Sequence, residues 1–236
     1  MTVAVLVEGL TVEFGRFRAI DDLSLAIDYG EVRAVIGPNG AGKTTLLDVI
    51  SGVSRARAGR VLFDERLELT GRSESAIARS GVRRKFQKPS VFEALSVRDN
   101  VEIGLGGAGD PASNEKVAAI LETVGLSEHA DRLASELAHG QKQWLEIAMV
   151  VVSEPRVLML DEPVAGLTDE ETERTAALIR RLRTPDRAIV VVEHDMDFVE
   201  AIADRVTVLH EGRTLFEGSM ARARADARVV DVYLGR

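Results

Sequence analysis

Eight consecutive residues, Gly37-Pro38-Asn39-Gly40-Ala41-Gly42-Lys43-Thr44, carry the strongest chemical signal in the chain. Their types and spacing fit the phosphate-loop pattern G-x-x-x-x-G-K-[ST]. Glycines let successive backbone N–H groups converge on an anion, and a helix starting at the loop adds partial positive charge. Lys43 is placed to reach the β- and γ-phosphates of a nucleoside triphosphate, the Thr44 hydroxyl to bind Mg²⁺, and Thr45 follows within the same cradle. A second constellation is the apolar run Val157-Leu158-Met159-Leu160, which ends in Asp161-Glu162. Mg²⁺ takes hard oxygen ligands and often keeps its waters. Asp161 can therefore hold the metal shell while Glu162 accepts a proton from an attacking water. A third apolar run, Ala188-Ile189-Val190-Val191-Val192, ends in Glu193-His194-Asp195. The His194 imidazole there can contact a γ-phosphate and polarise water. Gln87 comes just after a further strand, read at residues 82–86, and its amide can orient water and touch Mg²⁺ without titrating. Each of these has an ordinary counterpart: a solvated strand end, a structural histidine, a surface glutamine. The phosphate loop turns them toward catalysis.

These residues need elements to place them. Residues 32–36 form an apolar run typical of a strand covered on both faces, followed by the glycine loop and a helix over 44–50. Residues 3–14 and 23–27 alternate as half-buried antiparallel strands do, with a turn at Tyr29-Gly30-Glu31. Residues 61–63 and 82–86 read as strands. The pattern then becomes helical at 97–105, 116–124 and 141–152, with Gly104-Leu105-Gly106-Gly107-Ala108-Gly109-Asp110-Pro111 as a flexible connector. Strand character returns at 156–160 and 188–192, with helices at 170–182 and 196–203 and a strand pair around Glu211-Gly212. Strands alternating with helices imply an α/β fold with a mainly parallel sheet.

Composition narrows the partners. The chain has 236 residues, with 45% hydrophobic and 29% charged, the profile of a globular α/β protein. Lys plus Arg number 30 against 38 Asp plus Glu, a net charge of −8, and aromatics are 4%. No nucleic-acid partner is therefore expected, since phosphate-backbone binding needs a basic face and single strands need stacking platforms. The absence of cysteine excludes disulfides and thiolate metal sites. The first residues, Met1-Thr2-Val3-Ala4-Val5-Leu6-Val7-Glu8, lack a basic leader and are not read as a signal peptide. No run of about 18 apolar residues occurs, so any membrane link is expected to run through a partner.

Together these residues resemble the nucleotide-binding domain of ABC transporters, over nearly the whole chain. The resemblance implies a P-loop NTPase (RecA-like) core with a mainly parallel sheet, an antiparallel β subdomain and a helical signature subdomain. It implies one ATP-binding domain over residues 1–236, with about 1–88 and 155–236 as the core plus β subdomain and 89–154 as the helical part. Phe14 is similar to the family's adenine-stacking aromatic, with Phe17 as the alternative. Gln87 is similar to the Q-loop glutamine, His194 to the switch histidine, and Ala165-Gly166-Leu167-Thr168 to the D-loop. Leu137-Ala138-His139-Gly140-Gln141 occupies the place of the L-S-G-G-Q signature. By this resemblance two such domains pack head to tail around two ATPs, so that Ala138, His139, Gly140 and Gln141 act in trans. Glu162 is then the general base, and Gln87 and His194 read the γ-phosphate. ATP and Mg²⁺ are the implied cofactors. The implied partners are two transmembrane permease subunits, a second ATP-binding subunit (a different or an identical chain) and, indirectly, an external solute-binding protein. The implied location is the cytoplasmic face of the inner (plasma) membrane, as a peripheral subunit.

The signature departs from the family at Ala138, where a serine would cap the following helix and meet the γ-phosphate. Losing a cap costs about 1 kcal/mol, and losing a hydrogen bond to a charged group about 1.5–3 kcal/mol. His139 replaces a glycine and, if protonated, would restore positive charge near the phosphate. Thr168 stands where the D-loop commonly has an acid. Arg84-Lys85-Phe86-Gln87-Lys88-Pro89-Ser90, His139-Gly140-Gln141-Lys142-Gln143-Trp144 and the terminal Val232-Tyr233-Leu234-Gly235-Arg236 resemble urea-transport ATP-binding subunits within the branched-chain amino-acid uptake group. The reading is a urea or small-amide importer ATPase. The alternatives are a branched-chain amino-acid importer ATPase, a lipid exporter, a soluble ABC ATPase acting on ribosomes or DNA, and a P-loop kinase.

Overall fold

A computed structural model describes residues 2–86, 90–106 and 111–234. Gln87 and the end of the glycine-rich connector lie outside the described residues.

Two sheets build the fold. In the first, β1 (Val3–Phe14) and β2 (Phe17–Asp28) form a long hairpin. β2 starts six residues earlier than the alternation of residues 23–27 indicates, because an irregularity at Asp21-Asp22, where Asp22 has φ 52°, interrupts the alternation. In the central sheet, β3 (Val32–Ile36) is buried at every position. It leads through the glycine loop into α1 (Lys43–Ser51). β4 (Ala58–Phe63) and β5 (Leu67–Glu68) complete the antiparallel sheet, in the order β2-β1-β4-β5. α2 (Glu74–Arg79), which is too short to show periodicity, precedes β6 (Val82–Lys85).

Three helices follow: α3 (Val97–Leu105), α4 (Pro111–Val124) and α5 (His139–Val151). Gly104 belongs to α3 rather than to a connector, since a Cβ there would collide with the Met149 carbonyl of α5. The missing side chain lets the two helices approach closely. The chain then alternates through β7 (Val157–Asp161), α6 (Asp169–Leu182), β8 (Ala188–Val192) and α7 (Met196–Ile202). β9 (Arg205–His210) and β10 (Arg213–Gly218) form a hairpin. Its two loop residues, Glu211 and Gly212, both have positive φ (48° and 77°), the conformation a type I′ turn demands. Two further helices, α8 (Met220–Ala225) and α9 (Ala227–Leu234), close the chain.

The central sheet runs β10-β9-β3-β8-β7-β6. All neighbours pair in parallel except β9 with β10. The expected α/β class, mainly parallel sheet, antiparallel β part and helical part are all present. One core cluster lies between the central sheet, α1 and the antiparallel sheet. Another joins the sheet's opposite face to α3–α7.

Candidate functional site: a phosphate loop and a row of acidic strand ends

Strand register decides where the chemistry collects. Val35 of β3, Val192 of β8 and Asp161 of β7 stand side by side in one row across the sheet. The chain therefore leaves three neighbouring parallel strands at the same edge, the edge where open α/β sheets bind ligands. Gly37 follows β3, Glu162 follows β7, and Glu193-His194 follow β8. β6 ends beside them, Lys85 pairing with Leu160.

The loop after β3 is held by backbone constraints. Gly42 caps α1 with φ 100°, and Ile20 and the Ala19 carbonyl crowd its α-carbon. Lys43 folds back so that its Nζ donates to the carbonyls of Gly37 (2.7 Å) and Pro38 (3.0 Å). Burial pushes the Lys43 ammonium below its usual range, while Glu162, Asp161 and Glu193 pull it back up. Asn39, Gly40 and Thr44 are exposed. An open cleft is lined by Phe14, Phe17, Asn39 to Thr45 and Glu162. Phe14 and Phe17 face each other across the tip of the β1–β2 hairpin, 53% and 60% exposed. Two bare rings beside a phosphate loop suit an aromatic base.

Asp161 is only 1% exposed. Its Oδ2 accepts from Arg84 Nη2 at 2.7 Å, while its Oδ1 is buried with no hydrogen-bond partner among the described residues. Burial pushes this carboxyl upward and Arg84 pulls it down. A buried carboxylate oxygen without a partner among the described residues suits a divalent cation that keeps waters. Glu162 has φ 47°, a left-handed conformation that costs about 1–3 kcal/mol for a non-glycine residue and concentrates at functional sites. Its N–H donates to the Val192 carbonyl, which fixes that turn.

Glu193 is buried (1% exposed) and takes hydrogen bonds from the N–H groups of Val164 (3.2 Å) and His194 (2.9 Å). It ties the end of β8 to the segment after Glu162, a role the sequence analysis did not assign. His194 is exposed, with its Nδ1 3.5 Å from Glu193. Tyr233 of α9 lines a separate apolar cavity with Ile36 and Met220 rather than this cleft, yet reaches the phosphate loop. It shares a hydrogen bond with the Gly37 backbone and is held upward in pKa by burial. Arg84, quoted only as part of a resemblance, proves to be the partner of Asp161.

The signature residues do not line this cleft. Ala138 is the N-cap of α5 without a side-chain cap, and Gln141 Oε1 reaches back to the Ala138 N–H at 3.0 Å. His139 turns toward its own chain, its Nε2 3.3 Å from the Ala165 carbonyl. Thr168 caps α6 in a reciprocal pair with Glu171, which gives this departure a local structural cause.

The sequence matches the ABC transporter family over residues 20–165. The high-affinity branched-chain amino acid transport ATP-binding protein LivG of Salmonella typhimurium is 38% identical, the alignment covering 97% of this chain and 96% of that protein. BraF of Pseudomonas aeruginosa, described in the same terms, is 36% identical with the same coverage. The ADP conformation of MJ1267, an ATP-binding cassette of an ABC transporter, has the same fold at TM-score 0.92 and 29% identity, with all of both chains covered. LivG and BraF carry the branched-chain amino acid designation, the alternative cargo in the sequence reading, rather than urea. Architecture, phosphate loop and full-length relatives converge: this chain belongs to the ABC transporter family, as an ATP-binding subunit whose ATP hydrolysis is coupled to transport.

Proposed function

We propose that this chain powers a branched-chain amino-acid importer, binding ATP between its own phosphate loop and the signature segment of a second ATP-binding subunit. The observation that supports the reading is the row Val35-Val192-Asp161, which brings the ends of β3, β8 and β7 to one sheet edge, in a chain whose relatives LivG and BraF are named for that transport. Residues 1–88 and 155–236 act as the ATP-binding core with its β subdomain, and 89–154 as the helical part.

Phe14, with Phe17 beside it, stacks on the adenine. Gly37, Pro38, Asn39, Gly40, Ala41, Gly42, Lys43, Thr44 and Thr45 hold the phosphates. Thr44, Asp161 and Gln87 would hold magnesium, which would neutralise charge on the bound triphosphate. Glu162 accepts the proton of the attacking water, and His194 and Gln87 sense the γ-phosphate. Ala138, His139, Gly140 and Gln141 complete the partner's site, so that ATP closes the pair and hydrolysis reopens it. The chain works at the cytoplasmic face of the inner membrane, beside two permease chains, a second ATP-binding subunit and an external binding protein. No described helix is long and apolar enough to cross a membrane.

Reconstitution with the cognate permeases and binding protein tests the cargo. ATP-dependent accumulation of labelled leucine, isoleucine or valine is expected. Accumulation of urea without them would replace this cargo with urea. In the same preparation Glu162→Gln should retain ATP with little turnover, and unchanged hydrolysis would refute its role as base.

A further inference from the structure

Arg84 occupies a position the reaction scheme above leaves unused. Its side chain is 3% exposed, and it forks between two carboxylates. Nη2 donates to Asp161 Oδ2 at 2.7 Å and Nη1 to Asp48 Oδ1 at 2.6 Å, with Ser51 Oγ 3.3 Å from Nη1. Its guanidinium lies 4.7 Å from the centre of the Phe86 ring. Asp48 and Ser51 belong to α1, the helix that starts at Lys43. The guanidinium thus joins three elements: the helix that follows the phosphate loop, the end of β6, and the end of β7.

We infer that Arg84 is a positioning residue for Asp161, occupying Oδ2 so that Oδ1 is the oxygen presented to the metal shell of bound nucleotide. This rests on the reading of Asp161 as part of that shell. Three features support it. The planar guanidinium gives one bond to each acid from separate nitrogens held at a fixed spacing, which positions Asp161 relative to α1 in a way a single ammonium cannot. The oxygen left over, Oδ1, is the buried one without a partner among the described residues. Two carboxylates against one guanidinium leave the cluster net negative, so a cation is still attracted. Groups that orient a metal-binding carboxylate typically carry 10–100-fold of metal affinity.

The test separates metal affinity from nucleotide affinity in the purified full-length chain. Binding of a fluorescent non-hydrolysable ATP analogue is measured in EDTA, and Mn²⁺ binding to the analogue complex is followed by electron paramagnetic resonance. For Arg84→Gln we expect metal-free analogue binding within about 2-fold of wild type and Mn²⁺ affinity lower by about 10-fold or more. Arg84→Lys, which keeps the charge without the fork, should recover only part of the loss. Should Arg84→Gln fail to fold, Arg84→Lys carries the test through the same two measurements. Unchanged Mn²⁺ affinity, or an equal fall with and without metal, overturns the positioning role. Asp161→Asn distinguishes the levels. If it weakens Mn²⁺ binding while the Arg84 variants do not, the present inference fails alone. If it binds Mn²⁺ as wild type does, the metal reading of Asp161 fails and this inference with it.

Discussion

Lys85 Nζ lies 3.4 Å from Glu146 Oε2, and neither side chain is more than 3% exposed. Successive strand residues point to opposite faces, so β6 sends Arg84 toward α1 and Lys85 toward α5. Glu146 also accepts from the N–H and hydroxyl of Ser90. It therefore meets an ion pair from Lys85 on one side of the segment that contains Gln87 and hydrogen bonds from Ser90 on the other. Burial pushes the Lys85 ammonium down, and Glu146 is the main group opposing that shift.

Breaking this pair from one side leaves a buried charge. Lys85→Met should cost about 3–5 kcal/mol, and the double change Lys85→Met with Glu146→Leu should recover most of it. Urea denaturation of the three proteins checks this, and a double variant no better than the single one would show that the pair is not the cause.

The phosphate loop offers a contrast between two glycines. Gly40 has φ 81° with nothing within 4 Å of an added Cβ, so Gly40→Ala should cost only the left-handed strain, about 1–2 kcal/mol. Gly42 has φ 100° and the Ala19 carbonyl 2.6 Å from that Cβ. Gly42→Ala should be clearly worse in thermal unfolding, and equal losses would refute the packing argument.

Ala138 leaves the first turn of α5 without a side-chain cap. Ala138→Ser should add about 1 kcal/mol of stability and raise the ATPase rate of the assembled transporter. No gain in rate would mean that the signature is not weakened at this position.

Burial pushes the Glu193 carboxyl above its usual value of 4.5, against the hydrogen bonds it receives from His194 and Val164. A raised pKa in the fold means the protonated form favours folding. That contribution is full below 4.5 and is lost as pH rises through the raised value. Glu193→Gln does not titrate. The unfolding free energy of wild type relative to this variant should therefore decline from pH 4.5 upward in parallel denaturation series. A pH-independent difference would contradict the assignment.

Much of the site was legible because local chemistry and local geometry coincide there. Gly37 to Thr44 are contiguous, and the left-handed angles at Gly40 and Gly42 are ones that glycine supplies. Asp161, Glu162 and His194 each close an apolar run, so strand ends marked them. α2 and β5 were not legible, being six and two residues long, too short for any periodicity to emerge. The early start of β2 was hidden by the irregularity at Asp21-Asp22, which breaks the strand's alternation.

The sequence by itself determined the phosphate loop, the acidic strand ends and the alternation of strands and helices, because each depends on neighbours along the chain. Only the tertiary structure decided that Val35, Val192 and Asp161 share one row, since strand order is set by pairing between distant segments. The same holds for Arg84 with Asp48 and Asp161, and for Lys85 with Glu146. A charge buried on a strand of the central sheet is tolerated only when its counter-charge arrives from elsewhere in the fold. One chain segment cannot reveal that partner.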